Sequence, residues 1–532
     1  MNIYIFFVFF FFVFIIFILL FNSWGMVTMI FSDWYFFVMK LNFYLNSVTF
    51  SLVLFLVVMS VIIFCSYYLE SEINIGYFMV ILMIFVLSMF LLNFSTNIFF
   101  MLLSWDILGI SSFFLVLFYN NWDSCSGAMN TVLTNRIGDF FVFLFFSVLM
   151  FSSLSFKMIV QIYFVLGLLL IMGGFTKSAQ FPFSGWLPKA MSAPTPVSAL
   201  VHSSTLVTAG LILIMNFTFV MNSKLNYIVL IIGLLTMLFS SLMALAEQDM
   251  KKVVALSTLS QMGFATLTLG LGLYFIGLVH LVSHALFKSC LFMQVGVFIH
   301  NSFSQQDSRN YKMLSENLFF IQLQMVVTLF CLCGLFFTSG AVSKDLILEY
   351  FFYNKFSFFL SLLFFMSVFL TFMYSYRLFY SLMMTFNNTI VVSHGTVLMG
   401  IFSAIVVFFS VNFMWWISNN IFIIPVVYLY MDFFAPLVFV FLLVMMIFLG
   451  LKYYFSTIKY KFLVDYFPKQ SLYTSFMNLF VDKGADKLIL FFLNFFNFLG
   501  LIFNNIFKNL MFNIIVIGIM LLLFLCFMYS MK

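Results

Sequence analysis

The sequence predicts an all-α polytopic membrane protein of about fifteen spanning helices, and three observations carry that reading. Charged residues make up 7% of the 532-residue chain and hydrophobic ones 65%, whereas a soluble domain carries about 25% charged residues to build a water-facing surface. Uncharged runs of about 20 residues, enough to cross a bilayer, recur from one end to the other. The few ionisable side chains inside those runs stand at helical intervals.

In chain order, the run after Asn2 has no basic stretch before it and ends in Leu20, Phe21 and Asn22 without a small-residue cleavage pattern. It reads as a retained first helix rather than a signal peptide. Residues 1–76 form the N-terminal helices, and five helices follow over 77–218, with spans near 134–155 and 162–182 among them. Five more occupy 226–380, including one near 322–345, and additional spans fill 389–450. Over 452–511, Asp482, Lys483, Asp486 and Lys487 cluster at helical spacing among Phe and Leu residues. That texture predicts a long surface-lying lateral helix, and the apolar run 512–530 reads as an anchor.

Composition excludes some functions. The net charge of +6 is spread thinly and forms no basic stripe, which argues against nucleic-acid binding. Six cysteines are scattered, and the pair Cys331 and Cys333 has no His or carboxylate beside it; small apolar packing is the reading, not a metal site. Phe occurs 86 times against three arginines, a bias that thymine-rich codons of a small organelle genome would produce.

An ionisable residue inside a spanning segment is costly and marks a pathway, a partner or a gate. Asp106 sits in SWDILG, Lys177 in GGFTKSAQFPF, His202 in SALVHSST, and Lys344 with Asp345 in GAVSKDLILE. His280, His284 and Lys288 fall at i, i+4 and i+8, which lines them along one helix face about 6 Å apart. Joined by water, they form a candidate proton wire; three ligands spread over about 12 Å of straight helix cannot meet one metal ion. Gly173 and Gly174 precede Lys177, and four of the seven prolines fall between Pro182 and Pro196, so this helix should break and re-enter after a short loop. Broken helices beside a charge are ion-handling elements of transporters. Lys344 has a weaker version of that setting, with Gly334 and Gly340 ahead of it. Lys177 and Lys344 each fall in the fourth helix of a five-helix unit, as two inverted repeats would place them. Asp106 is a candidate to switch a lysine between its charged and neutral states. Arg136 and Asp139, one turn apart in NRIGD, read as a fixed pair at a helix start with a structural or coupling role.

These residues stand in longer stretches, LSWDILGISS, NRIGDF, FTKSAQFPFSGWLPKAMSAPTPVSALVHSSTLVTAG, AEQDMKKVVALSTLSQMGF, HLVSHALFKSCLFMQVGVFIH and GAVSKDLILE. Through them the chain closely resembles the mitochondrially encoded subunit 5 family of proton-pumping NADH:ubiquinone oxidoreductase, respiratory complex I, and more distantly the large antiporter subunits of the same fold. The resemblance implies two inverted five-helix bundles and a lateral helix lying along neighbouring antiporter-like subunits of the membrane arm. It further implies other membrane-arm and accessory subunits and membrane lipids as partners, and a multi-pass place in the mitochondrial inner membrane. The family's motif Trp and its carboxylate fall on Trp105 and Asp106, the broken-helix lysine on Lys177, and the next histidine on His202. The central histidines and lysine fall on His280, His284 and Lys288, and the distal lysine on Lys344.

Three positions depart from the family pattern. A glutamate pairs with the broken-helix lysine in the family, and Asp106 is about 1.5 Å shorter in reach, so pairing with Lys177 needs a backbone shift or a bridging water. Phe336 stands where the second broken helix often has proline, and Lys189 where WLP-x-AM has an acidic or neutral residue. The chain also looks one helix short before Val48. No dinucleotide fingerprint or iron–sulfur cysteine spacing is present, so NADH, FMN, iron–sulfur clusters and ubiquinone are expected in partner subunits and no cofactor in this chain. A cation/proton antiporter subunit is the alternative function, and an inactive scaffold a third.

Overall fold

Where no water is available, the backbone can bond only to itself, and long apolar runs satisfy that demand as helices. The computed structural model describes residues 27–30, 40–151, 156–302, 304–308, 319–334, 338–353, 358–383, 400 and 403–411. All belong to one of two units, Met1–Leu449, the other being Gly450–Lys532. The expected first helix, most of the 389–450 region, the lateral helix and the anchor lie outside the described residues, as does Phe336.

The helices are α1 (Leu45–Tyr68), α2 (Ile75–Phe94), α3 (Ile98–Val116), α4 (Trp122–Phe151) and α5 (Phe156–Lys177). After a one-turn α6 (Trp186–Lys189) come α7 (Thr195–Asn216), α8 (Ser223–Ala246), α9 (Met250–Gly270) and α10 (Tyr274–Asn301). The described series ends with α11 (Phe319–Cys333), α12 (Ser339–Tyr353) and α13 (Phe358–Met383), with a further helical stretch over 403–411. Nine of the described helices are long and apolar enough to cross a membrane.

Two expectations need correction, and one short feature is added to the helical fold: Val27–Ile30 pairs antiparallel with Lys40–Phe43, Val27 opposite Phe43. Each strand is four residues long, too short to nucleate a helix and carrying the Val, Thr, Ile and Phe that suit a pleated ribbon. Helix α4 begins at Trp122, about three turns before the expected 134. The polar stretch there stays helical because its hydroxyls bond back to the preceding turn: Ser124 to the Asn121 carbonyl at 2.7 Å, Thr131 to Ala128 at 2.7 Å and Thr134 to Asn130 at 2.9 Å. Arg136 and Asp139 therefore lie mid-helix, not at its start. The span expected over 322–345 is two helices, α11 and α12, and α11 stops where Gly334 takes φ +75°, a conformation only glycine adopts freely.

Burial sorts the helices. The α7 window is 100% buried and that of α9 94%, against 39% for α4, so α7 and α9 are inner helices and α4 an outer one. Glycines permit the closest approaches. A Cβ on Gly210 of α7 would run into the Gly174 carbonyl of α5, and one on Gly263 of α9 would sit 2.9 Å from the Met237 nitrogen of α8. Small residues at such crossings give membrane helices the dispersion contact that water cannot drive there.

One end of the bundle is tied together by its turns. Met250 N donates to the Gln306 carbonyl at 2.9 Å and Ser308 N to Gln248 at 2.9 Å, while Tyr67 at the end of α1 donates to Asn301 at the end of α10 at 3.1 Å. Glu70, Glu72, Asp123, Lys189, Glu247, Asp249, Lys251 and Lys252 all stand at this end, because successive helices alternate direction.

Candidate functional site

The first cluster is built on three helices. Lys177 closes α5 at the break and is wholly buried. Its ammonium donates to the Trp105 carbonyl on α3 at 2.7 Å and sits 3.6 Å from the centroid of the same residue's ring, a cation–π contact strengthened by the dry surroundings. The Trp105 indole N–H in turn donates to Asp139 Oδ1 on α4 at 2.8 Å. Asp139 Oδ2 lies 3.3 Å from Arg136, and Asp106 Oδ1 lies 3.7 Å from the same guanidinium. Among the described residues neither carboxylate forms an ion pair with Lys177.

The short carboxylate at Asp106 thus turns to Arg136, and Trp105 stands between Lys177 and Asp139. Arg136 and Asp139 do pair, as their spacing predicts. Asp139 is also wired through the indole to the residue that holds the lysine, and only the three-helix packing reveals this. The sequence marks its type and position but not its neighbour.

At the break, Ala179 takes φ 54° and the short helices α6 and 190–192 follow before α7. Trp186 packs back, its indole donating to the Thr176 carbonyl at 3.0 Å. That bond occupies a carbonyl freed by the end of α5. The first turns of α7, Ser198–Thr205, widen into a π-helix, a local under-winding common at functional positions. It carries His202, wholly buried beside Trp186 with ring centroids 5.9 Å apart, and neither ring nitrogen is hydrogen-bonded among the described residues.

The central row lies on α10, and His280, His284 and Lys288 are each wholly buried. Lys288 donates to Ser257 Oγ of α9 at 2.6 Å. His284 faces the backbone of Ser203 on the π-helical turn without a formed hydrogen bond, and so connects the two groups of helices. His280 Nδ1 lies 3.0 Å from Ser343 Oγ, and Ser343 precedes Lys344 on α12. Lys344 is buried and donates to the Leu332 carbonyl near the end of α11. A water-sized cavity beside it is lined by Ser260, Gln261, Phe264 and Thr371 among others, and Ser260 and Gln261 both reach the Tyr374 hydroxyl, at 3.0 and 3.2 Å. The side chain of Asp345 lies outside the described residues.

The structure therefore brings Lys177, Trp105, Asp139, Arg136 and Asp106 into one cluster and His280, Ser343 and Lys344 into another. His284 faces the helix of His202. Sequence reasoning missed Ser257, Ser343, Tyr374 and Lys251. Hydroxyl residues carry no positional signal in so apolar a chain, whereas Lys251 lay in a matching stretch beside a second lysine and gave no hint of burial.

A bundle of apolar helices, two of them ending or starting beside a buried lysine, defines a polytopic membrane protein with a polar interior. Residues 95–373 match a family model described as NADH:quinone oxidoreductase/Mrp antiporter, TM. The NADH-ubiquinone oxidoreductase chain 5 of Caenorhabditis elegans is 57% identical over 514 residues, 95% of this chain and 97% of that one. The chain 5 of Ascaris suum is 53% identical, over 95% and 92% of the two chains. Among solved structures, the Mrp complex from a Dietzia species matches with a TM-score of 0.64 at 24% identity, covering 73% of this chain and 44% of that one. An archaeal membrane-bound sulfane sulfur reductase matches with a TM-score of 0.65 at 21% identity, over 74% and 68%. At those identities the two structures speak to fold alone. The chain belongs to the NADH:quinone oxidoreductase/Mrp antiporter transmembrane family.

Proposed function

We propose that this chain is a membrane-arm subunit of a proton-pumping NADH:ubiquinone oxidoreductase in the mitochondrial inner membrane. It carries protons across the bilayer while other subunits pass electrons from NADH to ubiquinone. The observation that carries this reading is the set of wholly buried titratable groups: Lys177, His202, His284, His280 and Lys288, with Lys344 nearly so. Burying amines and imidazoles is costly, and inside spanning helices such groups mark ion pathways and proton relays.

The chemistry follows from the partners. A protonated Lys177 donates to the Trp105 carbonyl and is steadied by the ring; on losing its proton to an imidazole or a water it forfeits the cation–π attraction and the charge assistance of the hydrogen bond, so its charge state is coupled to the α3–α5 contact. Lys288 on Ser257 and His280 on Ser343 rest on hydroxyls that both accept and donate, so a proton can pass without a fixed counter-ion. With α5–α6 and α11–α12 each counted as one broken element, Lys177 and Lys344 lie in the fourth element of two successive sets of five, the first before its break and the second after it, which supports the reading of two inverted repeats. NADH, FMN, iron–sulfur clusters and ubiquinone belong to partner subunits in this reading, and this chain supplies no redox site.

Neighbours follow from Arg136. Its side chain is 53% exposed and that of Asp106 33%, in the middle of spanning helices. A guanidinium facing acyl chains is costly, so this face of α3 and α4 suits a neighbouring antiporter-like subunit, with lipids and accessory subunits around the remaining perimeter.

The test is proton-to-electron stoichiometry in the isolated complex in proteoliposomes. Lys177→Ala and Lys344→Ala are each expected to lower both pumping and coupled ubiquinone reduction. An unchanged ratio and rate in both would end the proposal, and cation exchange independent of NADH would move it to the antiporter reading.

A further inference from the structure

We infer that Lys251 is a proton-relay residue passing protons between water at the charged end of the bundle and His202. The inference rests on the proton-carrying reading above and adds the residue through which that line opens to solvent. Lys251 is the second residue of α9 and only 3% exposed. Its ammonium has three N–H donors and makes one long hydrogen bond among the described residues, to the Ala193 carbonyl at 3.4 Å.

The nearest carboxylate on its own helix end, Asp249, is engaged by Lys252 at 2.5 Å. The other charged or titratable groups at this end include Glu70, Glu72, Asp123, Lys189 and Glu247, with Asp307 bridged to Asp249, Arg377 on the Ala244 and Leu245 carbonyls and His300 beside Tyr67; no ion pair to Lys251 forms among the described residues. A lysine locked to a carboxylate stays charged, whereas one held by a single carbonyl is free to exchange its proton. Burying an amine without a counter-ion is costly, and packing alone gives no return for it.

The position gives the return. Ala193 stands two residues before the start of α7, which runs from this end into the interior. Thr195, Ser198 and His202 follow at three- and four-residue intervals, on one side of that helix, and all three are buried. Ser198 Oγ donates to the Thr195 carbonyl at 2.8 Å, which tightens the turn between them. Nine residues separate Ala193 from His202, about 13 Å along the axis. The ring of His202 leans toward the N-terminal end as helical side chains do, which shortens the gap to one that two hydroxyls and a few waters bridge. His202, with both ring nitrogens unbonded, is the acceptor at its inner end.

The competing role is a static donor to the Ala193 carbonyl, and arginine separates the two. It keeps the charge and the donor but does not release a proton. In the assembled complex in proteoliposomes, Lys251→Arg and Lys251→Met are expected to cut proton pumping about tenfold. Lys251→His, which titrates near neutral pH, is expected to recover part of it with the rate optimum displaced to lower pH. Wild-type pumping in Lys251→Arg, alongside loss in Lys177→Ala, would overturn the relay and leave a structural donor. Should Lys251→Arg fail to assemble, an unshifted optimum in Lys251→His overturns it equally. Retention of pumping in Lys177→Ala as well would instead remove the proton-carrying reading on which the relay stands.

Discussion

Lys177 meets Trp105 twice, through a 2.7 Å hydrogen bond to its carbonyl and a 3.6 Å contact with its ring. One residue on α3 therefore supplies the dipole and the quadrupole that steady a buried ammonium, and its indole N–H holds Asp139 on the third helix. The lysine and the carboxylate share a partner without touching, so a small rotation of Trp105 changes the field at both.

That sharing predicts the effect of Trp105→Phe. The ring and the backbone carbonyl remain, but a buried carboxylate loses its indole donor, which costs about 1–3 kcal/mol. The midpoint of thermal disassembly of the complex should fall, while ubiquinone reduction at low temperature is less affected. An unchanged midpoint would mean that the indole bond contributes nothing to holding α3 against α4.

The two carboxylates should separate on neutralisation. Asp139 is buried, with its side chain 8% exposed against 33% for Asp106, and it is bonded to the residue that holds Lys177. Asp139→Asn should therefore lower the proton-to-electron ratio more than Asp106→Asn, and Asp106→Glu should be tolerated better than Asp106→Asn, since the charge facing Arg136 is kept. Equal losses in the two asparagine variants would deny Asp139 its special place.

Much of this was legible in the residues. The apolar runs fix the helices because a membrane leaves the backbone no other partner, and the i, i+4, i+8 spacing of His280, His284 and Lys288 fixes their common face. Gly334 and the prolines after Lys177 mark both breaks. What could not be read is anything that depends on which helix lies beside which. Asp106 looked like the partner of Lys177 because a motif places them so, yet the nearest cation to its short side chain is Arg136 on α4. Nothing in the sequence singles out Lys251 from Lys252 beside it, and only the packing of the 190–194 turn against α9 buries it. The start of α4 was misplaced because hydroxyl groups that bond to their own backbone look polar in the sequence and are satisfied in the helix.

Lys288 offers a test of hydroxyl support. Its 2.6 Å bond to Ser257 is the only hydrogen bond of that ammonium among the described residues, so Ser257→Ala leaves a buried amine without an acceptor, whereas Ser257→Thr keeps one. Coupled ubiquinone reduction should fall several-fold in Ser257→Ala and stay near the wild-type rate in Ser257→Thr, a contrast worth about 1–2 kcal/mol. If both variants lose activity alike, the requirement is one of volume rather than of the hydroxyl.

The break before α12 should be the least tolerant of added volume. A Cβ on Gly340 would lie inside the Cys331 backbone at the end of α11, where no side chain can yield, while one on Gly334 would meet Lys344 Cδ at 3.0 Å and the Gly340 carbonyl no closer than 3.3 Å. Gly334→Ala instead carries the strain of φ +75°, about 1–2 kcal/mol for a residue with a Cβ. Gly340→Ala has to push the two helices apart and displace Lys344, whose ammonium donates to the Leu332 carbonyl on α11. The expected order is a strong loss of assembled complex in Gly340→Ala and a modest loss in Gly334→Ala, read as the abundance of the intact complex on native electrophoresis. The reverse order would show that backbone conformation at Gly334, and not the approach of α12 to α11, is what the break depends on.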